Sequence, residues 1–430
     1  MEAGRLQVNF WEAFRVWLKI GCLGFGGPAG QIALMHRVLV DEKKWVEESR
    51  YLHALNFCML LPGPEAQKLA TYVGWLLHGT RGGLAAGILF VLPGALVMLG
   101  VSLLYVLGKG IPAVEGALFG IKAAVLVIVI EALLRIGRRG LKTRLLLGIA
   151  AAAFVGIFFL ELPFPLIVAA AGAIGFFTTR EKAIVQPPTQ NPGAWRQSVR
   201  AIVVGLGLWL APVALVVLTL GTSHVLFDIA VFFSKLAVVS FGGAYALLAY
   251  MAQQAVENYT WMSAPEMVDG LGLAETLPGP LIKVTQFVGF LAAYRDAAPF
   301  PPVAAAIAGA ALTTWVTFVP PMMLIFAGAP FIEQLRSNQR LSGALAAITA
   351  AVVGVILNLT LWFALHVLFP AVEEARAGPL RWYTFDPAAL DWKATVLALI
   401  AALLMLRLHR GLVETVAVMA LAGILSRFLL

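Results

Sequence analysis

Charge is what this sequence has least of. Only 13% of its 430 residues are Asp, Glu, Lys or Arg, against 60% apolar and a mean hydropathy of +0.88. That is too little charge to clothe a soluble surface, so lipid must be the solvent. Cysteine is almost missing as well: Cys22 and Cys58 each lie in an apolar stretch and read as inert core thiols rather than a disulfide or metal pair. His36, His53, His78, His224, His366 and His409 show no metal-ligand spacing, and no glycine loop ending in Gly-Lys-Ser/Thr occurs. ATP hydrolysis within the chain is therefore not expected, nor is a cofactor or metal, and an ion or proton gradient must drive any active transport. The short alternating segments of an outer-membrane barrel are lacking too.

What is present is a set of apolar runs long enough to cross a bilayer: 84–107, 116–136, 199–220 and 342–368. These imply an all-α polytopic membrane protein, placed in a bacterial inner membrane. The net charge of +8 comes from Lys and Arg in short loops between the runs, where they set orientation, so no nucleic-acid partner is expected. Glu2, Glu12 and Lys19 interrupt the first apolar stretch, which argues against a cleaved signal peptide.

The chain repeats itself. Phe25-Gly26-Gly27 recurs as Phe241-Gly242-Gly243, Trp45 as Trp261, and Leu61-Pro62-Gly63-Pro64 as Leu277-Pro278-Gly279-Pro280, all at a separation of 216 (241 − 25). Lys19 and Lys235 keep that separation. One residue then drops out, and Lys68 aligns with Lys283; further on, Gly116-Ala117-Leu118 aligns with Gly343-Ala344-Leu345 at 227 (343 − 116). Matched blocks in one order indicate internal duplication. The 135–144 loop holds five basic residues and no acid, so it belongs inside. Its counterpart, 366–393, carries Glu373, Glu374, Asp386 and Asp391 and reads as outside, and Glu257, Glu266 and Asp269 stand unopposed before the second Pro-Gly-Pro motif. The halves are therefore expected to be inverted: a transport repeat over 1–178, a cytoplasmic linker over 179–198, a linking transmembrane helix over 199–221, and an inverted repeat over 222–430, with the N-terminus cytoplasmic. Short pairs at 145–160 with 163–177, and at 395–406 with 412–429, read as matching hairpins.

The apolar pieces flanking the first Pro-Gly-Pro, 51–61 and 66–77, are each too short to span a membrane. Pro-Gly-Pro breaks a helix, and paired broken helices meeting at a central site are the strongest sequence pointer to a transporter's binding site. A helix starting after Pro64 or Pro280 offers free N–H groups and a positive dipole end to an anion. Lys68 and Lys283 lie in those first turns. An ammonium inside a bilayer costs roughly 2.5 to 3.5 kcal/mol and so needs a partner; a divalent oxyanion between the two would supply one, and snorkelling to the headgroups is the alternative. Gln67, Thr71, Thr285 and Gln286 are nearby polar groups, either oxyanion ligands or ordinary helix contacts. Gly26, Gly27, Gly242 and Gly243 either line the same cavity or pack helices closely. Glu65, which has Leu281 opposite it, and Glu131, which has Asn358, are candidates for proton or counter-ion coupling; a helix-start charge and pairing with Lys122 or a loop arginine are the respective alternatives.

The Phe-Gly-Gly-Pro at 25–28, the two Leu-Pro-Gly-Pro motifs and their order resemble the chromate ion transporter family in its long two-domain form, over nearly the whole chain. The resemblance implies an inner-membrane protein that exports chromate and confers resistance, with sulfate as a mimic of the cargo. Ala244 stands where Pro28 does, so the halves need not contribute equally. Composition and spacing leave chromate, sulfate, another tetrahedral oxyanion and an anion channel open, along with a homodimer. An enzyme acting on lipid phosphate would add a nucleophile or metal cluster, which the sequence does not show.

Overall fold

The computed structural model describes residues 8–179, 194–240, 244–331 and 339–429. Sixteen helices and one small hairpin make up these residues, so the chain is an all-α polytopic membrane protein; five of the helices are long and apolar enough to cross a bilayer.

The first half begins with two pairs of short helices, each pair joined at a glycine-containing break. Helix α1 (Phe10–Leu23) is capped by Asn9, whose side chain accepts from Trp11 N–H, and after the glycine break α2 (Gly27–His36) runs on into a π-helical turn. Helix α3 (Glu48–Leu60) leads to the Pro-Gly-Pro motif and α4 (Glu65–Leu107). His78 and Gly79 leave helical geometry, so α4 is a short piece, 65–77, followed by a long one. The outer ends of these pairs gather together: Lys43 after α2 reaches Glu12 at 2.7 Å, and His78 Nε2 lies 2.7 Å from Val8 O. Their inner ends meet in the core. The long piece of α4, then α5 (Pro112–Gly140), α6 (Arg144–Phe158) and α7 (Phe164–Thr178) complete the half.

Helix α8 (Ala194–Leu220) joins the halves and presents Leu208, Leu215 and Leu218 outward, as lipid solvent permits. The expected linking helix thus begins a few residues earlier, while most of the expected linker, including Pro187-Pro188, lies outside the described residues. The order of elements then recurs: α9 (Val225–Val239), α10 (Ala244–Gln253), a π-helical turn, α11 (Ala264–Thr276), the second Pro-Gly-Pro, a 3-10 turn at Leu281–Lys283, and α12 (Val284–Arg295). Here too the outer ends gather. Arg295 at the end of α12 bonds Glu266 at the start of α11, and His224 before α9 lies 2.9 Å from Ala298 O. They gather at the other end of the molecule, because the far end of α4 brings Lys109 within 3.6 Å of Glu266. Helices α13 (Pro302–Gly328), α14 (Gln339–Leu368), α15 (Trp392–Ala402) and α16 (Leu412–Leu429) finish the chain.

Several expectations need correction. Glu257, Glu266 and Asp269 do not stand unopposed: Arg381, Arg295 and Lys122 pair with them at 3.3, 2.6 and 3.0 Å, cations drawn from helices and loops remote in sequence. Cys58 is buried but Cys22 is exposed on α1, so only one thiol is a core thiol. The 366–393 loop contains two antiparallel strands, β1 (Val372–Ala377) and β2 (Leu380–Phe385). From β2, Arg381 is 2% exposed; it bonds Ile157 O at the end of α6 as well as Glu161 and Glu257, tying the hairpin across both halves. Burial pushes the Glu257 carboxyl up, and Arg381 acts against that shift.

Candidate functional site

The two Pro-Gly-Pro loops cross. Gly63 N–H donates to Ser240 O at 3.0 Å, and Gly279 N–H donates to Gly24 O at 3.0 Å. Gly24 and Ser240 end α1 and α9 and are themselves 216 apart (240 − 24), so each loop docks on the broken first helix of the other half by the same bond. Both glycines take left-handed backbone, φ +103° and +90°, which other residues adopt at a cost. Gly63 lies against Pro321 of α13, where a Cβ would come within 2.4 Å of the ring; Gly279 lies against the backbone of Gly94 in α4. Gly94 and Pro321 correspond at the separation of 227 (321 − 94), so the packing is reciprocal too.

Beside each crossing sits a lysine that is 1% exposed. Lys68 donates from Nζ to Leu61 O; Lys283 donates to Leu277 O at 2.9 Å and to Gly279 O at 3.2 Å. The ammonium groups are thus not out among headgroups. Each turns back to the carbonyl end of the preceding helix, where the dipole is negative. An ammonium has three N–H groups, so carbonyl bonding does not exhaust either one. The acids within electrostatic reach differ: Glu65, half-buried at the start of α4, for Lys68, and Glu275 at the end of α11 for Lys283.

The other expected site residues divide. Gln67 donates to Phe318 O at 3.0 Å and Gln286 to Ala95 O at 2.9 Å, each bridging to the opposite half, and each keeps a buried Oε1 with no partner among the described residues. Thr71 and Thr285 bond their own helix backbone at Gln67 O and Ile282 O. Pro64 and Pro280 precede the first turns. Gly26 and Gly27 form the α1–α2 break with positive φ; Gly242 and Gly243 lie outside the described residues. Glu131 is half-buried on α5, a helix that supplies no residue to either crossing, and Lys122 pairs with Asp269 rather than with it. Lys19 and Lys235 are exposed.

Sequence reasoning missed Gln31. It is 1% exposed on α2, and its Nε2 donates to Gly24 O at 3.1 Å and Gly279 O at 2.6 Å, clasping one crossing. Its counterpart is Leu247, and that polar-for-apolar break in the repeat was the available signal. Gln31→Leu removes two buried bonds at a cost of about 1 to 3 kcal/mol. The expected result is a lower melting temperature of the purified protein and slower transport, whereas the counterpart Leu247→Ile changes neither.

The chain matches the model of a family described as chromate transporter over residues 11–176 and 227–426. It belongs to the chromate transporter family. Among curated proteins it is similar to a chromate transport protein of Pseudomonas aeruginosa, 32% identical over 83% of this chain and 81% of that one. A probable chromate transport protein of Synechococcus elongatus is 29% identical over 79% and 81%, and a chromate transport protein of Cupriavidus metallidurans 27% identical over 79% of each. No solved structure matches the chain. In this chromate transporter family member each matched stretch holds one crossing loop and its lysine, and α8 falls wholly between them.

Proposed function

We propose that the protein is a gradient-driven exporter of chromate, built from inverted repeats over 1–178 and 222–430 that the 179–198 linker and the 199–221 helix join, with its N-terminus in the cytoplasm of a bacterial inner membrane. A tetrahedral dianion is held where the two Pro-Gly-Pro loops cross. The observation that carries this reading is reciprocity: the same N–H to carbonyl bond made twice in opposite senses, with one buried lysine beside each. The names of the relatives support chromate as cargo, and the gathering of the two sets of broken helices at opposite ends supports inversion.

Alternating access follows from the arrangement. Each loop belongs to one half but rests on the other, so rocking the halves exposes the crossing first to one side and then to the other. At the crossing, Lys68, Lys283 and the first-turn N–H groups after Pro64 and Pro280 attract the anion, while the carbonyls of Leu61, Leu277 and Gly279 hold the ammonium groups when no anion is present. Glu65 beside Lys68 repels the cargo when ionised, which suits a coupling role.

Everted membrane vesicles test this directly. With an imposed proton gradient they should accumulate radiolabelled chromate, and excess sulfate should compete. Vesicles that accumulate sulfate but exclude chromate would reassign the cargo; flux that never exceeds equilibration would mark a channel instead.

A further inference from the structure

Helix α11 carries a carboxylate that the crossing does not use. Asp269 is 5% exposed; its Oδ1 lies 3.0 Å from Nζ of Lys122 on α5, and its Oδ2 accepts from the Tyr105 hydroxyl of α4 at 2.9 Å. Breaking such a pair by neutralising one partner strands a buried charge, so its protonation state controls how firmly the helices hold together. Lys122 also lines a cavity of about 150 Å³ with His366, Phe369 and Asp391. One water takes roughly 30 Å³, so several fit. His366 Nδ1 lies 2.8 Å from Trp362 O, which can only accept, so Nδ1 keeps its proton and Nε2 is the nitrogen free to exchange one. The cavity sits at the end where Lys109, Glu266 and Arg295 meet, the side that loop charge assigns to the exterior.

The clamp is asymmetric. Across the repeat, Asp269 corresponds to His53 of the first half and Lys122 to Thr349 of the second, so the helix before the first Pro-Gly-Pro lacks this carboxylate–ammonium pair. The clamp is also linked to the site. Leu277, which with Gly279 holds the Lys283 ammonium, follows Asp269 by eight residues, about 12 Å along a helix.

Resting on the transport reading, we infer that Asp269 takes up a proton coupled to transport, separately from Glu65 at the crossing, that this proton reaches it from the exterior through the Lys122 cavity, and that protonation frees α11 from α5. One proton from cavity water adds to Oδ1; the pair passes from net zero to net plus one, and Lys122 no longer holds the carboxyl by charge. Helix α11 then moves and carries the acceptors of Lys283 with it, so proton entry and anion release share one element. Around Asp269 stand Lys122 from α5, Tyr105 from α4, and Glu266 one turn earlier on α11 with its partners Lys109 and Arg295; His366 and Asp391 line the cavity on the far side of Lys122. Of these, Asp269 is the buried carboxylate joined to the moving helix.

The full chain in proteoliposomes distinguishes the outcomes by two readouts: chromate counterflow without a proton gradient, and chromate accumulation driven by one. Asp269→Asn is expected to keep counterflow within about threefold of wild type and to lose gradient-driven accumulation by about tenfold or more. Wild-type counterflow with accumulation unchanged by Asp269→Asn overturns the assignment alone; absence of wild-type counterflow overturns the transport reading and this inference together. The charge-swapped pair Asp269→Lys, Lys122→Asp separates coupling from bracing, because full recovery of gradient-driven accumulation would mean that the pair only braces the fold. Should Asp269→Asn fail to reach the bilayer, Asp269→Glu is read instead: a shifted pH midpoint of accumulation supports the assignment and an unmoved one overturns it.

Discussion

Lys68→Met and Lys283→Met are each expected to cut chromate transport by roughly 10- to 100-fold while leaving the protein inserted. Methionine keeps the unbranched apolar stem of lysine, one atom shorter, but removes three N–H groups and the charge. On the stability side two effects oppose each other. Carbonyls of Leu61, or of Leu277 and Gly279, lose a buried donor, which costs about 1 to 3 kcal/mol. An ammonium is no longer held in the membrane interior, which returns roughly 2.5 to 3.5 kcal/mol. Neither effect dominates, so insertion and folding survive. On the function side nothing opposes the loss: a charge-assisted bond to the anion contributes about 1.5 to 3 kcal/mol, which at 1.4 kcal/mol per decade gives the stated range. Arginine should not rescue either site, because a planar fork does not fit a pocket shaped around a point charge that is 1% exposed. Initial rates of labelled chromate uptake in everted vesicles, normalised to inserted protein, make the measurement. An inserted Lys68→Met chain that transports at the wild-type rate would remove the lysine from the site.

Much of this site was legible because the repeat is written in residue types that have few other uses. Proline–glycine–proline in an apolar setting has to break a helix, and its recurrence with a trailing lysine pointed to the place where the broken ends meet. What periodicity could not carry was the partner of each group. Gly63 bonds Ser240 and Gly279 bonds Gly24 across the halves, a pairing that spacing within one half cannot reveal. The lysines were read as aimed at an anion; in the structure they first satisfy the carbonyl ends of α3 and α11, because a buried ammonium takes the strongest acceptor within reach. Asp269 was read as an exterior loop charge for a similar reason, since its cation comes from a helix in the other half. The hairpin Val372–Phe385 was passed over as loop: Gly378-Pro379 before Trp382-Tyr383-Thr384-Phe385 is a turn signal, but the first strand, Val-Glu-Glu-Ala-Arg-Ala, carries a single β-branched residue. In each case the sequence displayed the group but not its neighbour.

Gly94 of α4 passes so close to the second loop that a Cβ there would lie 2.3 Å from Pro278 O. Backbone cannot step aside as a side chain can, so Gly94→Ala must push α4 and the loop apart by about an ångström, at roughly 1 to 3 kcal/mol of overpacking. The displaced residues include Gly279, which gives its N–H to Gly24 and its carbonyl to Lys283 and Gln31. One methyl group therefore disturbs the bond between the halves, the lysine cradle and the glutamine clasp together. Transport should fall by about tenfold or more, with a lower melting temperature of the purified protein. Gly100, two turns on in the same helix, supplies the control: a Cβ there meets nothing within 4 Å, so Gly100→Ala should leave transport intact and stabilise the helix by roughly 0.5 to 1 kcal/mol. Equal transport by the two variants would mean that close approach at Gly94 is not what sets the geometry of the crossing.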